Sequence, residues 1–193
     1  MKISKGTRIT IFIVLMLVID QTMKLLVKTN MSLGESISVF GNWFYLLFIE
    51  NNGMAFGMQF GGQIGKLALS LLRVVLIVLI AIYLHRLLKR DDTPAGVLYG
   101  LAAILCGAAG NMIDCMFYGI IFDYAPFMFG KVVDMLYFPI IDTDLPAGFP
   151  VWGGRHIVFF RPIFNFADSC ITCGAIYLIL FKWRFFAKED NWK

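Results

Sequence analysis

Histidine is nearly missing from this sequence: His85 and His156 are the two among 193 residues, and neither stands in an HExxH run, which excludes the common zinc-hydrolase set. Charge is scarce as well. Asp, Glu, Lys and Arg make up 16% of the chain against 59% hydrophobic residues, and a mean hydropathy of +0.76 is too apolar for a soluble domain. Cysteine is limited to Cys106, Cys115, Cys170 and Cys173; one CxxC without a second gives no zinc ribbon, and all four read as small packing residues. No internal repeat, low-complexity tract or domain linker is evident, so one domain covering 1–193 is expected. The formal charge of +4 would suggest nucleic acid in a soluble protein, but here the charges gather at the ends of apolar runs, and no nucleic-acid partner is expected.

What is abundant is apolar sequence in lengths that cross a bilayer, which takes roughly 20 residues of helix. Four stretches qualify: 7–27, 66–84, 94–113 and 163–181. Lys2, Lys5, Arg8, Arg86, Lys89, Arg90, Lys182, Arg184, Lys188 and Lys193 are ten of the 17 basic residues, and four crossings put them all on one side. By the positive-inside rule that side is the cytoplasm, with both termini in it. The start "MKISKGTRITIFIVLMLVID" has the make-up of a signal peptide but no small-x-small cleavage site after it, so it reads as a retained first helix. Residues 28–65 and 114–162 are then external. The first of these is rich in aromatic and β-branched residues between Gly-bounded turns, which predicts short strands. Pro, Gly and aromatic residues in the second argue against a fifth spanning helix and for a segment lying on the membrane surface. The expected fold is mainly α: a polytopic membrane protein of four transmembrane helices with a small extracytoplasmic β region and a surface-lying external connection.

On this topology Asp20, Asp114 and Asp168 fall at the outer ends of helices one, three and four, and Asp134 lies in an apolar stretch of the second connection. Each has a structural reading. Asp20 and Lys24 form an i,i+4 pair, Asp114 marks a helix end, and Asp168 sits in a first turn with Asn165 as N-cap. Four acids in one leaflet with few basic partners point instead to function, because intramembrane ionisable groups usually mark it. "NMID" and "NFAD" each place an Asn three residues before an Asp, so the amides of Asn111 and Asn165 are positioned to orient a carboxylate or a substrate backbone. Two neighbouring carboxyls do not both ionise easily; one keeps a proton while the other is a base, which is hydrolase equipment. A Ser169–Lys131 dyad would need a desolvated lysine. A proton-coupled transporter is the alternative from another class, since relays also use buried acids, but repeats and paired broken helices are missing. Arg73, inside the second helix, either snorkels to the outer headgroups or meets a carboxylate.

Taken in order, "IDQTMK" (19–24), "NNGMAFG" (51–57), "GNMID" (110–114), "VVD" (132–134) and "FNFADS" (164–169) resemble bacterial lipoprotein signal peptidase, the type II signal peptidase, over nearly the whole chain. The resemblance implies an aspartic endopeptidase of the inner membrane with catalytic residues Asp134 and Asp168, and a substrate site shaped by Asn51, Gly53, Asn111, Asp114 and Asn165. Asp20 and Arg73 would be supporting residues. It implies a prolipoprotein substrate whose lipobox cysteine carries diacylglycerol, cleavage just before that cysteine at the outer face, inhibition by globomycin, contact with membrane lipids, and no metal or organic cofactor. A monomer is the expectation. The family commonly has arginine after the acid of the third motif, where Cys115 stands here, which leaves Arg73, Arg155 and Arg161 as replacements for that cation. The connections from Asp114 to Asp134 and from Asp134 to Asp168 are also longer than is usual in it.

Overall fold

The structure, a computed structural model, describes residues 3–52, 62–148, 150, 153–159 and 161–187. Four helices are long and apolar enough to span a membrane: α1 (Lys5–Asn30), α2 (Gly62–Leu88), α3 (Ala95–Ile113), which runs on through a π-helical turn at Asp114–Tyr118 into the short α4 (Gly119–Ile121), and α5 (Phe166–Phe186). At 21 residues the shortest measures about 32 Å, enough for the hydrocarbon core. Sequence placed all four but misjudged their ends. The first two are longer than 7–27 and 66–84, and the third does not stop at Ile113, because Asp114 is fully buried and hydrogen-bonded rather than a polar terminus. The last begins at Phe166, not 163, because Ile163 and Phe164 are drawn into a strand.

Contacts divide the chain into two compact units. The helical unit comprises Met1–Met23, Asn51–Val132 and Phe166–Lys193. Its centre is α3, whose Val97, Leu98, Leu101 and Ala102 cluster with Ile9, Leu84, Leu87 and Leu178. In lipid, helices associate through close packing and polar contacts rather than exclusion of water, so small residues matter. A Cβ at Gly100 would meet Leu178 Cδ2 at 2.6 Å, and one at Gly174 the carbonyl oxygen of Gly100 at 2.8 Å, so α3 and α5 approach nearly backbone to backbone. By contrast, Leu71, Leu72, Val75, Leu76, Val78 and Leu79 leave one side of α2 about half exposed, as suits a face turned to lipid. The π-helical turn releases carbonyls from the regular ladder, and the chain returning after α4 satisfies them: Gly130 N donates to Cys115 O (2.8 Å) and Met128 N to Met116 O (3.3 Å). Met112, Cys115, Met128 and Val132 close over this fold-back as a second core.

The second unit, Lys24–Glu50 with Val133–Asn165, is built on β-structure. Strands β1 (Ser36–Phe40), β2 (Phe44–Asn51), β3 (Val132–Tyr137) and β6 (Ile163–Phe164) form a sheet in the order β1-β2-β3-β6. Gly41, with φ +48°, takes the left-handed conformation needed at the β1–β2 turn. Leu136 pairs with Phe164 and Tyr137 with Ile163. Aromatic rings stack across the sheet, Phe44 on Phe138 at 4.5 Å and Phe138 on Phe164 at 5.8 Å between centroids. An ion pair between Lys28 and Glu50, both nearly buried, ties the end of α1 to β2. Strands β4 (Ile141–Asp144) and β5 (His156–Phe159) form a separate hairpin, closed by the exposed Asp144–His156 contact at 2.9 Å. The predicted strands after the first helix are present. The connection after α3 is likewise structured, with a helical extension, three strands and part of the sheet.

Candidate active site

Two acids of the helical unit, Asp20 and Asp114, are tied together by the side chain of Gln21. Asp20 of α1 is buried, its Oδ1 accepting the backbone N–H of Ala167 in the first turn of α5 (2.9 Å) and its Oδ2 a bond from Gln21 Nε2 (3.1 Å). A carboxylate from another helix thus takes one of the four N–H groups that a helix start leaves unpaired. Gln21 Nε2 also donates to Asp114 Oδ1 (2.9 Å) and to the Gly110 carbonyl (3.2 Å), while its Oε1 accepts the Tyr118 hydroxyl (3.2 Å). Gly110 must lack a side chain: a Cβ there would lie 2.6 Å from Asp20 Oδ2. The extra residue in the π-helical turn carries Asp114, Cys115 and Tyr118 inward, where all three are buried.

Asp168 stands apart in exposure. Asp20 and Asp114 are sealed from solvent at 2% and 0%, whereas Asp168, in the first turn of α5, is half-buried. Its Oδ1 accepts a bond from Asn111 Nδ2 at 2.8 Å. This places the carboxyl beside the N–H groups that the start of α5 leaves without helical partners. On the other side of α3, Arg73 of α2 points a guanidinium nitrogen at Cys115 Sγ, 3.9 Å away, so this arginine ends beside the residue that follows Asp114. Arg155 and Arg161 belong to the other unit and are exposed.

In the β unit Asp134 lies on β3, 3% exposed, its Oδ1 accepting Asn165 Nδ2 at 2.7 Å. The antiparallel register explains the pairing: with Leu136 opposite Phe164, the chain running on from β6 brings Asn165 alongside the Asp134 end of β3. Asn165 is itself fully buried and immediately precedes α5.

Sequence spacing suggested that the amides of Asn111 and Asn165 orient a carboxylate or a substrate backbone. Each holds a carboxylate from another motif: Asn111 holds Asp168, 57 residues away, and Asn165 holds Asp134, 31 residues away. Asn51 ends β2, and Gly53 lies outside the described residues. Gln21 and Tyr118 were missed from sequence alone; the signal for Gln21 was its place inside "IDQTMK", next to an intramembrane acid. Lys24, one turn beyond Asp20, is fully buried rather than snorkelling.

Four spanning helices with sealed, amide-bound carboxylates define an integral membrane protein whose interior chemistry is acidic. Comparison with known proteins specifies it further. The model of the signal peptidase II family matches residues 12–184. A lipoprotein signal peptidase of Porphyromonas gingivalis is 41% identical over 194 residues, covering 93% of this chain and 84% of the relative. One from Amoebophilus asiaticus is 39% identical over 176 residues, covering 87% and 74%. A solved bacterial membrane enzyme, determined by the in meso method, superposes with a TM-score of 0.63 at 22% identity, covering 94% of this chain and 92% of the other; that likeness concerns the fold. The chain belongs to the signal peptidase II family. The proton-coupled transporter weighed from the sequence finds no support among these relatives.

Proposed function

We propose that this protein is an aspartic endopeptidase that removes the signal peptide from prolipoproteins, cutting before a cysteine that already carries diacylglycerol, with Asp134 and Asp168 as its catalytic pair. The observation that carries the reading is the pairing of each of these acids with an asparagine amide through one oxygen, Asn165 on Asp134 and Asn111 on Asp168. Only three positions of chain separate Asn165 from Asp168. The relatives' names supply the substrate class.

In this mechanism the ionised carboxylate takes a proton from water as the water oxygen bonds to the scissile carbonyl carbon, while the protonated partner hydrogen-bonds the oxyanion that forms. Collapse of the tetrahedral intermediate breaks the C–N bond. The departing amine, the α-nitrogen of the lipidated cysteine, receives a proton from the acid, and one proton remains shared between the two carboxyls for the next cycle. Asp20, Asp114 and Gln21 are positioning residues that fix α1, α3 and the start of α5. Asn51, Gly53, Asn111, Asp114 and Asn165 shape the substrate site, Asn111 and Asn165 through the acids they hold. Arg73 provides a cation beside Asp114 through its contact with Cys115. The basic residues at the ends of the helices set both termini in the cytoplasm, so cleavage occurs at the outer face of the inner membrane, by one chain acting alone.

Asp134→Asn and Asp168→Asn should each abolish cleavage of a diacylglyceryl-modified prolipoprotein by purified enzyme in lipid, leaving circular dichroism and elution volume unchanged. Globomycin should block the unaltered protein. Turnover retained in either variant discards the catalytic pair.

A further inference from the structure

A recess on the opposite end of the helical unit has no role in the chemistry above. It is lined by Lys5, Arg8 and Ile9 of α1 and by Thr93, Ala95, Leu98 and Tyr99 at the start of α3. Asp20 lies fifteen residues further along α1, about 22 Å away. Lys5 and Arg8 are one turn apart and so share a helix face. Lys5 Nζ donates to the Asp91 carbonyl oxygen (2.9 Å), which anchors its head without neutralising it. Arg8 has no side-chain hydrogen bond or ion pair among the described residues, and the nearby Asp92 carboxylate is engaged by Arg90 at 2.9 Å. Among the described residues, two cations without a carboxylate partner therefore stand at one rim.

The rest of the recess is apolar. Ile9 and Leu98 are almost wholly buried, and the Tyr99 ring packs edge-on against Phe12 with centroids 5.2 Å apart. Depth identifies the occupant. With 26 residues, α1 is about 39 Å long, against about 30 Å of hydrocarbon, so its first turns reach the headgroup layer, as does the start of α3 beside them. A ligand here carries negative charge towards the rim and hydrocarbon towards the floor.

We propose that this recess is a discrete binding site for an anionic glycerophospholipid, its phosphodiester held by Lys5 and Arg8 and its glycerol and upper acyl carbons lying on Ile9, Leu98 and Tyr99. Lys182 serves as an internal control: it is a cation at the same end of the unit, but lies over the Tyr177 ring (5.8 Å) on the α5 side of α3, outside the recess.

The test is native mass spectrometry of the full chain in detergent, titrated with phosphatidylglycerol, with phosphatidylcholine, or with inorganic phosphate. The unaltered protein should retain phosphatidylglycerol in preference to phosphatidylcholine. In Lys5→Gln/Arg8→Gln its apparent affinity should fall about 25-fold, the loss expected for two interfacial cations. Lys5→Arg/Arg8→Lys should hold the lipid nearly as well as the unaltered chain, and Lys182→Gln should do the same. Cleavage activity should be unchanged in every variant, which separates this site from the acid pair. Equal binding of both lipids, undiminished binding in the double glutamine variant, or an equal loss in Lys182→Gln overturns the proposal. So does occupancy by inorganic phosphate as tight as by lipid, which would make the ligand a free anion.

Discussion

Replacing Asn111 by alanine removes the hydrogen bond that the amide gives Asp168 Oδ1 at 2.8 Å and leaves the rest of α3 intact. A hydrogen bond to a charged group contributes about 1.5–3 kcal/mol net, and each 1.36 kcal/mol is tenfold in rate. If the amide holds Asp168 in the orientation used in the transition state, kcat should fall about 10- to 150-fold. The lower figure applies if water enters the space left by the amide, because a half-buried site admits it. KM should move less than twofold, since the bond is made to the enzyme's own acid rather than to substrate. The melting temperature should fall by only several degrees, because losing this one bond leaves the α3–α5 contact at Gly100, Gly107 and Gly174 in place. The assay is steady-state cleavage of a lipidated prolipoprotein in lipid–detergent micelles, with the melting temperature measured on the same preparation. A kcat within twofold of the unaltered enzyme would refute the reasoning, as would a loss that follows unfolding.

Further substitutions probe the surroundings of Asp20 and Asp114. Gly110→Ala brings a methyl group to 2.6 Å from Asp20 Oδ2 and should break the Ala167 bond, lowering stability by about 1–3 kcal/mol in a detergent melt; an unshifted melt would show that Asp20 has room to move. Arg73→Ala should impair cleavage far more than Arg86→Ala at the exposed far end of α2, and adding Cys115→Arg should restore part of the loss by supplying the guanidinium from the other partner of the contact. Equal effects of the two alanine variants would mean that Arg73 only snorkels.

The four helices were legible because a run of about 20 apolar residues has few other uses. Their ends were not. Asp114 looked like a terminus because an acid in lipid is costly; inside the helix it accepts a hydrogen bond from the amide of Gln21, which reaches it from another helix. Ile163 and Phe164 looked like the first residues of the last span; their true partner, β3, lies far away in sequence, and no local pattern announces such a pairing. The same holds for the asparagines. A spacing of three residues suggested a shared helix face, yet the observed bonds run between motifs, because Asn165 stands before α5 rather than on it and Asn111 faces α5 rather than its own Asp114. Which residues gather was readable from motif order; which amide serves which acid depended on tertiary packing.

The proposed sharing of one proton between Asp134 and Asp168 can be read most directly by difference infrared spectroscopy of the enzyme in lipid. A protonated-carboxyl band is expected near neutral pH that disappears in Asp134→Asn and equally in Asp168→Asn, since removing either acid dissolves the pair. A band that survives in one of the two variants, or carboxyls that titrate independently of each other, would contradict it.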